Sequence, residues 1–297
     1  SISARMTALD TQTGRERWRF YTDGPVRLPA VVEDGRVFFV SDDGYLYCVD
    51  AEKGSLLWKF RSGPTDARIL GNSRLVSMWP ARGGPVVADG VIYFAASIWP
   101  FMGTFIHALD AGTGEVVWTN DGTGSLYMLQ PHNSPAYGGV APQGAMVVSG
   151  DQLLVPGGRS VPACFDRHTG EFLYYRHANY NKTGGAFVAA AAGRFVNYHR
   201  DMITSLYDVA TGDRLIHQVA GVPVLTPEVM YGQGDTIRAL NLGGLRQVEY
   251  SRQVRDRDTG DLITVKDHKW AMEELWRLGV DASGDLSRHS SSIAHLW

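Results

Sequence analysis

The residues of this chain best equipped for chemistry sit in a few stretches rich in Pro, Gly and aromatic side chains. SMWPARGGP (77–85) carries Trp79 and Arg82, and SIWPFMG (97–103) carries Trp99 and Phe101. LQPHNSPAYGGVAPQG (129–144) carries His132, Asn133, Tyr137 and Gln143. PGGRSVP (156–162) carries Arg159, NYNKTGG (179–185) carries Lys182, and NYHRD (197–201) carries His199 and Arg200. Rings beside guanidinium, ammonium, imidazole and amide groups suit a planar or sugar-like ligand with acidic oxygens. The candidate ligand-binding set is therefore Trp79, Arg82, Trp99, His132, Asn133, Gln143, Arg159, Lys182, His199 and Arg200. The same side chains have a plainer use, because Pro and Trp stiffen long loops and cover strand ends. A loop His is more often a hydrogen-bonded structural group than a catalyst.

Spacings that demand a reaction are missing. The chain has no H-E-x-x-H, no G-x-S-x-G, no phosphate-binding loop and no C-x-x-C-H. No carboxylate pair suggests glycoside hydrolysis. Asp42-Asp43-Gly44 and DRDTGD (256–261) read as acidic turns, and the latter lacks the spacing and distal Glu of a calcium loop. GQGDTI (232–237) reads as a hairpin turn, and KWAMEELWRL (269–278) as a short helix or a strand of an irregular blade.

What must position these loops is a repeat. ALDTQTGRERW (8–18), CVDAEKGSLLW (48–58), ALDAGTGEVVW (108–118), CFDRHTGEFLY (164–174) and LYDVATGDRLI (206–216) share one frame, with a weaker echo, ALNLGG, from Ala239. Its fixed points are Asp10, Gly14 and Trp18; Asp50, Gly54 and Trp58; Asp110, Gly114 and Trp118; Asp166, Gly170 and Tyr174; and Asp208 and Gly212. Recurrence at about 40 to 50 residues is a signature of propellers and arrays. The Asp can bond turn amides, and the Gly accepts the positive φ of a tight hairpin. Between residues 28 and 61 the pattern reads strand LPAVVE, turn, strand RVFFVS, turn, strand YLYCVD, turn, strand SLLWKF. That is a four-stranded antiparallel blade, and further blades start at 85, 146 and 186. The fold class is therefore an all-β propeller of four-stranded blades, with five to six blades visible.

The frame A-x-D-x-x-T-G-x-x-x-W resembles the tryptophan-docking repeat of the PQQ-type propellers. That superfamily includes quinoprotein alcohol dehydrogenases and non-enzymatic BamB-like outer-membrane assembly lipoproteins. The resemblance implies an extracytoplasmic, periplasmic setting and, for its enzymes, PQQ held with Ca²⁺ against an adjacent Cys-Cys pair. This chain has two cysteines, Cys48 and Cys164, and no Cys-Cys. Both occupy the slot held by Ala8, Ala108 and Ala239, so a small buried residue is expected there rather than a disulfide.

Composition narrows the classes further. With 44% hydrophobic residues and 34 glycines the chain can build a large core and many tight turns. A net charge of −3 indicates no nucleic-acid partner, and no apolar run reaches membrane-spanning length. One domain over 1–297 is expected, with clear repeats over 4–220 and degenerate blades over 221–297. No signal peptide is seen, both ends read as partial blades, and the expected context is a longer polypeptide. The long connections (62–84, 98–104, 119–143 and 178–185) are all second-to-third turns or links between blades, so elaboration is expected on one face only. The leading expectation is a non-catalytic binding or scaffolding module with a protein, small-molecule or glycan site on that face. A divergent PQQ-dependent oxidoreductase is the second reading. A carbohydrate-active propeller using His132 or His199 is the third.

Overall fold

The structure is a computed structural model that describes residues 3–71, 73–130, 134–158, 160–176, 184–198, 204–219, 221–233 and 236–279. Contacts divide the chain into two compact units, Ser1–Val188 and Ala189–Trp297. The first opens with the hairpin β1 (Ser3–Leu9) and β2 (Glu16–Val26). Strands β3 (Val31–Glu33), β4 (Arg36–Val40), β5 (Tyr45–Asp50) and β6 (Leu56–Arg61) form a four-stranded sheet in chain order. A small hairpin, β7 (Arg68–Gly71) and β8 (Arg74–Ser77), follows. The next sheet holds β9 (Ala81–Ala88), β10 (Val91–Ala96), β11 (Phe105–Asp110) and β12 (Val116–Asn120). A second hairpin, β13 (Leu126–Leu129) and β14 (Pro135–Gly138), precedes β15 (Gly144–Ala145), which joins the free edge of β9 in parallel. Strands β16 (Val147–Ser149), β17 (Gln152–Gly157), β18 (Ser160–Asp166) and β19 (Phe172–Tyr174) complete the unit's third full sheet.

Further along, β20 (Phe187–Ala191), β21 (Arg194–Tyr198), β22 (Thr204–Asp208) and β23 (Arg214–Ile216) make another four-stranded sheet. The last sheet is β24 (Val224–Leu225), β25 (Val229–Gln233), β26 (Thr236–Asn241) and β29 (Glu274–Gly279), with β27 (Arg246–Arg255) and β28 (Leu262–Ala271) inserted as a hairpin between its third and fourth strands. The chain is thus built of β-propeller blades, four antiparallel strands each.

Strand pleating explains how the first unit's blades pack. Side chains alternate between faces along a strand. Phe38, Val40, Leu46 and Cys48 point into one cluster with Ile92, Phe94 and Leu109 of the following blade. Their neighbours Val37, Phe39, Tyr47 and Val49 point the other way, against Trp18 and Phe20. Both faces of the β3–β6 sheet are therefore buried, and its strands read as continuous apolar runs. Tyr93, Ile106 and Ala108 repeat the pattern against Leu153, Val155 and Phe165.

The repeat frame is the device that joins blade to blade. Asp10, Asp50, Asp110, Asp166 and Asp208 each accept hydrogen bonds on Oδ1 from the two backbone amides two and three residues on. The turn closes on a Gly with φ between 68° and 76°. The next surface that Gly presents is a seat for an indole. A Cβ on Gly54 would lie 2.5 Å from Trp18 Cδ2, one on Gly114 2.9 Å from Trp58, and one on Gly170 2.5 Å from Trp118. Trp18 Nε1 donates to Ala51 O and Trp118 Nε1 to Arg167 O, each at 2.9 Å. Trp58 Nε1 is buried without an acceptor. The residue two before each Asp pairs across the ladder with the aromatic slot: Ala8 with Trp18, Cys48 with Trp58, Ala108 with Trp118, Cys164 with Tyr174. Both cysteines are free and buried, and burial pushes their thiols up to about 12.

One finding differs from the sequence expectation. Elaboration is not confined to one class of connection, because the β27–β28 arm occupies a third-to-fourth turn, a class expected to be short. It interrupts the repeat frame so that Ala239 finds its partner at Trp276, which settles the 269–278 stretch as the end of β28 followed by strand β29. The DRDTGD tip of the arm is a further copy of the repeat turn. Asp256 Oδ1 accepts from the amides of Asp258 and Thr259, and Gly260 has φ 79°.

The glycine seat is directly testable. Nothing lies within 4 Å of a Cβ added at Gly14, so Gly14→Ala should cost only the left-handed backbone, about 1 kcal/mol. Gly54→Ala meets the Trp18 ring and should cost about 2 kcal/mol more, as overpacking does. Urea midpoints of the two variants check the difference.

Candidate functional site

The second-to-third turn of the β3–β6 blade, Ser41-Asp42-Asp43-Gly44, is where the sheets of the first unit bring the most charge out of water. Asp42 is 1% exposed, yet its carboxylate is fully engaged. Arg27 Nε donates to Oδ2 at 2.6 Å, and Arg82 donates from Nε to Oδ1 at 3.1 Å and from Nη2 to Oδ2 at 3.2 Å. The three residues come from three segments: the link between β2 and β3, the turn itself, and the start of β9. Backbone bonds lock the turn in place, from Asp42 N to Pro25 O and from Ser77 N to Asp42 O. Asp43 has a separate role. It accepts from the amides of Asp23 and Tyr45 and from the Tyr47 hydroxyl. Burial pushes its carboxyl upward, and those donors oppose the shift. Burial, with Asp43 alongside, also drives the Tyr47 phenol far up.

Trp79 closes the same region. It is buried, donates from Nε1 to Met102 O at 2.7 Å, and packs edge-on against Phe105. Its ring fits over Gly63, where a Cβ would lie 2.6 Å from Cε3. It thereby ties the 62–84 link to the 97–104 loop. The register also brings Arg82 and Gln143 to one level, since each precedes one of the paired residues Gly83 and Gly144. Gln143 is exposed, with its side-chain oxygen beside Gly158. Trp99 is exposed at the start of a short 3-10 turn (Pro100–Met102) and lies apart from the Asp42 turn in the chain. His132, Asn133, Arg159, Lys182, His199 and Arg200 lie outside the described residues.

The loops expose large apolar side chains. Phe101 is 77% exposed and Tyr137 75%, with Trp99, Tyr127 and Leu129 also exposed. Tyr127 and Tyr137 are ladder partners with rings 5.3 Å apart, edge to face. Both loops share one base: Thr104 Oγ1 donates to Val140 O, Val140 N donates to Thr123 O, and a Cβ on Gly124 would lie 2.5 Å from Pro100 O. On the β7–β8 hairpin the paired Leu70 and Leu75 are exposed as well.

Sequence reading missed three groups. Arg27 was hidden in an unremarkable GPVRLPA link, and the Asp42-Asp43 pair read as an acidic turn. The flanking runs VFFV and YLYCV are apolar on both faces, which is the available hint that acids between them must be partnered. His107 is the third. It lies on β11, buried, with Nε2 2.9 Å from Ser62 O and Nδ1 2.9 Å from Thr119 Oγ1. A carbonyl only accepts, so Nε2 carries the proton and Nδ1 accepts from the Thr119 hydroxyl. Burial pushes its pKa down to about 4. It acts as a neutral latch between an inter-blade link and a strand.

Among the described residues no group of three or more His, Cys, Asp or Glu could hold a metal ion. The buried carboxylates are already spent on Arg27, Arg82, Tyr47 and backbone amides, and Cys48 and Cys164 stand in different sheets. The described residues therefore do not fit a Ca²⁺–quinone centre. Over residues 1–212 the chain matches the family described as "Outer membrane protein assembly factor BamB". It belongs to that family. The solved structure of BamB from Moraxella catarrhalis superposes with a TM-score of 0.53 at 18% identity, covering 91% of this chain and 72% of that one. The dehydrogenase subunit of the quinone alcohol dehydrogenase of Gluconobacter oxydans (strain 621H) is 30% identical over 127 residues, 39% of this chain and 16% of the relative. A tetrathionate hydrolase of Acidithiobacillus ferrooxidans is 25% identical over 197 residues, 63% of this chain and 34% of the relative. The chain thus spans between about a sixth and about a third of the length of these curated relatives. Among the described residues no helix is long and apolar enough to cross a membrane.

Two stability measurements follow from the buried groups. Asp42→Asn leaves two half-buried guanidinium groups without their counter-charge and should cost about 3 kcal/mol by urea unfolding. His107 is held neutral, so its protonation favours the unfolded chain. Its contribution is complete above pH 6.5 and is lost as pH falls toward 4. Unfolding midpoints at pH 7 and 5 should show that loss, and His107→Gln should flatten it.

Proposed function

We propose that this BamB-family chain is a non-catalytic binding or scaffolding module of an extracytoplasmic, larger polypeptide. Its partner, a protein or glycan, would sit on the loops that carry Trp99, Phe101, Tyr127 and Tyr137. The observation that carries this reading is the exposure of large apolar side chains on loops whose bases are rigidly hydrogen-bonded. Soluble domains rarely leave such loops without a use, and exposed aromatic clusters on a fixed scaffold mark interaction sites. The spent carboxylates of the Asp42 turn support a role that needs no reacting group there. Similarity to a quinone alcohol dehydrogenase subunit keeps a divergent quinone-dependent oxidoreductase as the second reading, since one fold hosts many functions. A carbohydrate-active reading rests on His132 and His199, both outside the described residues.

A thermal-shift titration of the full chain with PQQ plus Ca²⁺, beside a panel of acidic and neutral oligosaccharides, separates these readings. A ligand at 100 times its Kd stabilises by about 2.7 kcal/mol. The expected result is no shift with PQQ and no alcohol oxidation with added quinone. Turnover would overturn the proposal. A shift with an oligosaccharide that is lost when Trp99, Phe101, Tyr127 and Tyr137 are changed to Ser would place a glycan on these loops.

A further inference from the structure

The Arg27–Asp42–Arg82 cluster carries more hydrogen-bond donors than its own contacts use. One carboxylate faces two guanidinium groups, and among the described residues neither arginine has a second acidic partner. The nearby Asp43 is occupied by two amides and the Tyr47 hydroxyl. The three bonds to Asp42 use Nε of Arg27 and the Nε–Nη2 edge of Arg82. That leaves the Nη1–Nη2 fork of Arg27 and Nη1 of Arg82 without an acceptor among the described residues. These donors are not sealed in the interior. The side chains are 24% and 20% exposed, and none of their nitrogens is among the buried atoms lacking a partner. Both arginines bond the same oxygen, Oδ2, so their guanidinium groups meet at one carboxylate.

We propose that Arg27 and Arg82 form a binding site for a carboxylate group on a small ligand, preorganised by Asp42. A planar fork of two parallel N–H donors matches the two oxygens of a carboxylate, and Arg82, joined to Arg27 through Asp42, brings a second guanidinium charge to the site. Preorganisation matters here. The buried Asp42 holds both guanidinium groups in place before the ligand arrives, so little side-chain entropy is lost on binding. Arg82 leads into Gly83 and Gly84, where β15 lies against β9 and where Cβ atoms would meet Ala95 and Ala145. Its backbone is therefore as fixed as its head. The site deepens the reading of the chain as a binding module by naming a ligand class for one of its positions.

The test is an NMR titration of arginine Nε–H signals in the full chain at low ionic strength, with Arg27→Lys and Arg82→Lys supplying the assignments. The probes are sodium acetate, sodium D-glucuronate, inorganic phosphate, and D-glucose as the uncharged control. Saturable shifts of the Arg27 and Arg82 signals with both carboxylates, and none with glucose, are expected. Tighter binding of glucuronate than acetate would point to an acidic sugar, and equal binding to a bare carboxylate. Arg27→Gln should weaken glucuronate at least tenfold, and Arg27→Lys should fall between, having the charge without the fork. Unmoved signals, phosphate bound more tightly than either carboxylate, or an Arg27→Gln variant within twofold of the parent would overturn the proposal. If Arg27→Gln fails to fold, the titration of the parent chain decides alone. Failure here leaves the aromatic-loop reading standing, because that reading is judged by the aromatic-to-Ser variants and these probes do not address it.

Discussion

An indole laid on a glycine is the contact on which the first unit depends. Each docking Trp closes the outer edge of one blade and lies on the turn of the next, where any Cβ would collide with the ring. Two requirements meet at that glycine. The turn needs a left-handed backbone, and the indole needs the space a side chain would fill. Only glycine meets both without strain. The Asp that opens the turn completes the unit, because its Oδ1 holds the two amides that would otherwise face solvent unpaired. With the turn rigid, the indole has a flat seat, and Trp18 and Trp118 also bond a carbonyl there. The blades can then bury both faces of their sheets against their neighbours.

A scaffold held together at its outer hairpins frees the opposite connections to vary. In the first unit those connections are long and disciplined. Their bases are pinned by buried contacts: Trp79 on Gly63 and Met102, Thr104 on Val140, Ser77 on Asp42, and His107 between Ser62 and Thr119. They also expose large apolar side chains, Trp99, Phe101, Tyr127 and Tyr137 among them. The Asp42 turn is the most costly of these arrangements, since it draws a carboxylate and two guanidinium groups partly out of water. A cost of that kind is retained where charged groups must be held at fixed positions.

Much of this was legible in the residues alone. The spacing of Asp10, Asp50, Asp110, Asp166 and Asp208 announces repeated blades, and the alternation in YLYCVD announces a strand. A small residue at positions 8, 48, 108 and 164 signals a crowded partner, which proves to be the aromatic slot across the ladder. The last blade was not legible, because the β27–β28 arm separates Ala239 from Trp276 and breaks the frame by which the repeat is recognised. Trp79 and Arg82, neighbours in one motif, proved to do different work: the first packs a core and the second grips an acid.

The chain's own sequence determined the blade, because a turn that needs Asp, Gly and an aromatic at set offsets is a local event, decided within a dozen residues. It determined likewise which stretches would be loops and that they would be rich in rings and cations. Only tertiary structure decided which of those side chains meet. Arg27, Asp42 and Arg82 are 15 and 40 residues apart and share no pattern. They come together because pairing and stacking of whole sheets carry a link, a turn and a strand start to one point, where burial leaves the carboxylate no partner but the two arginines.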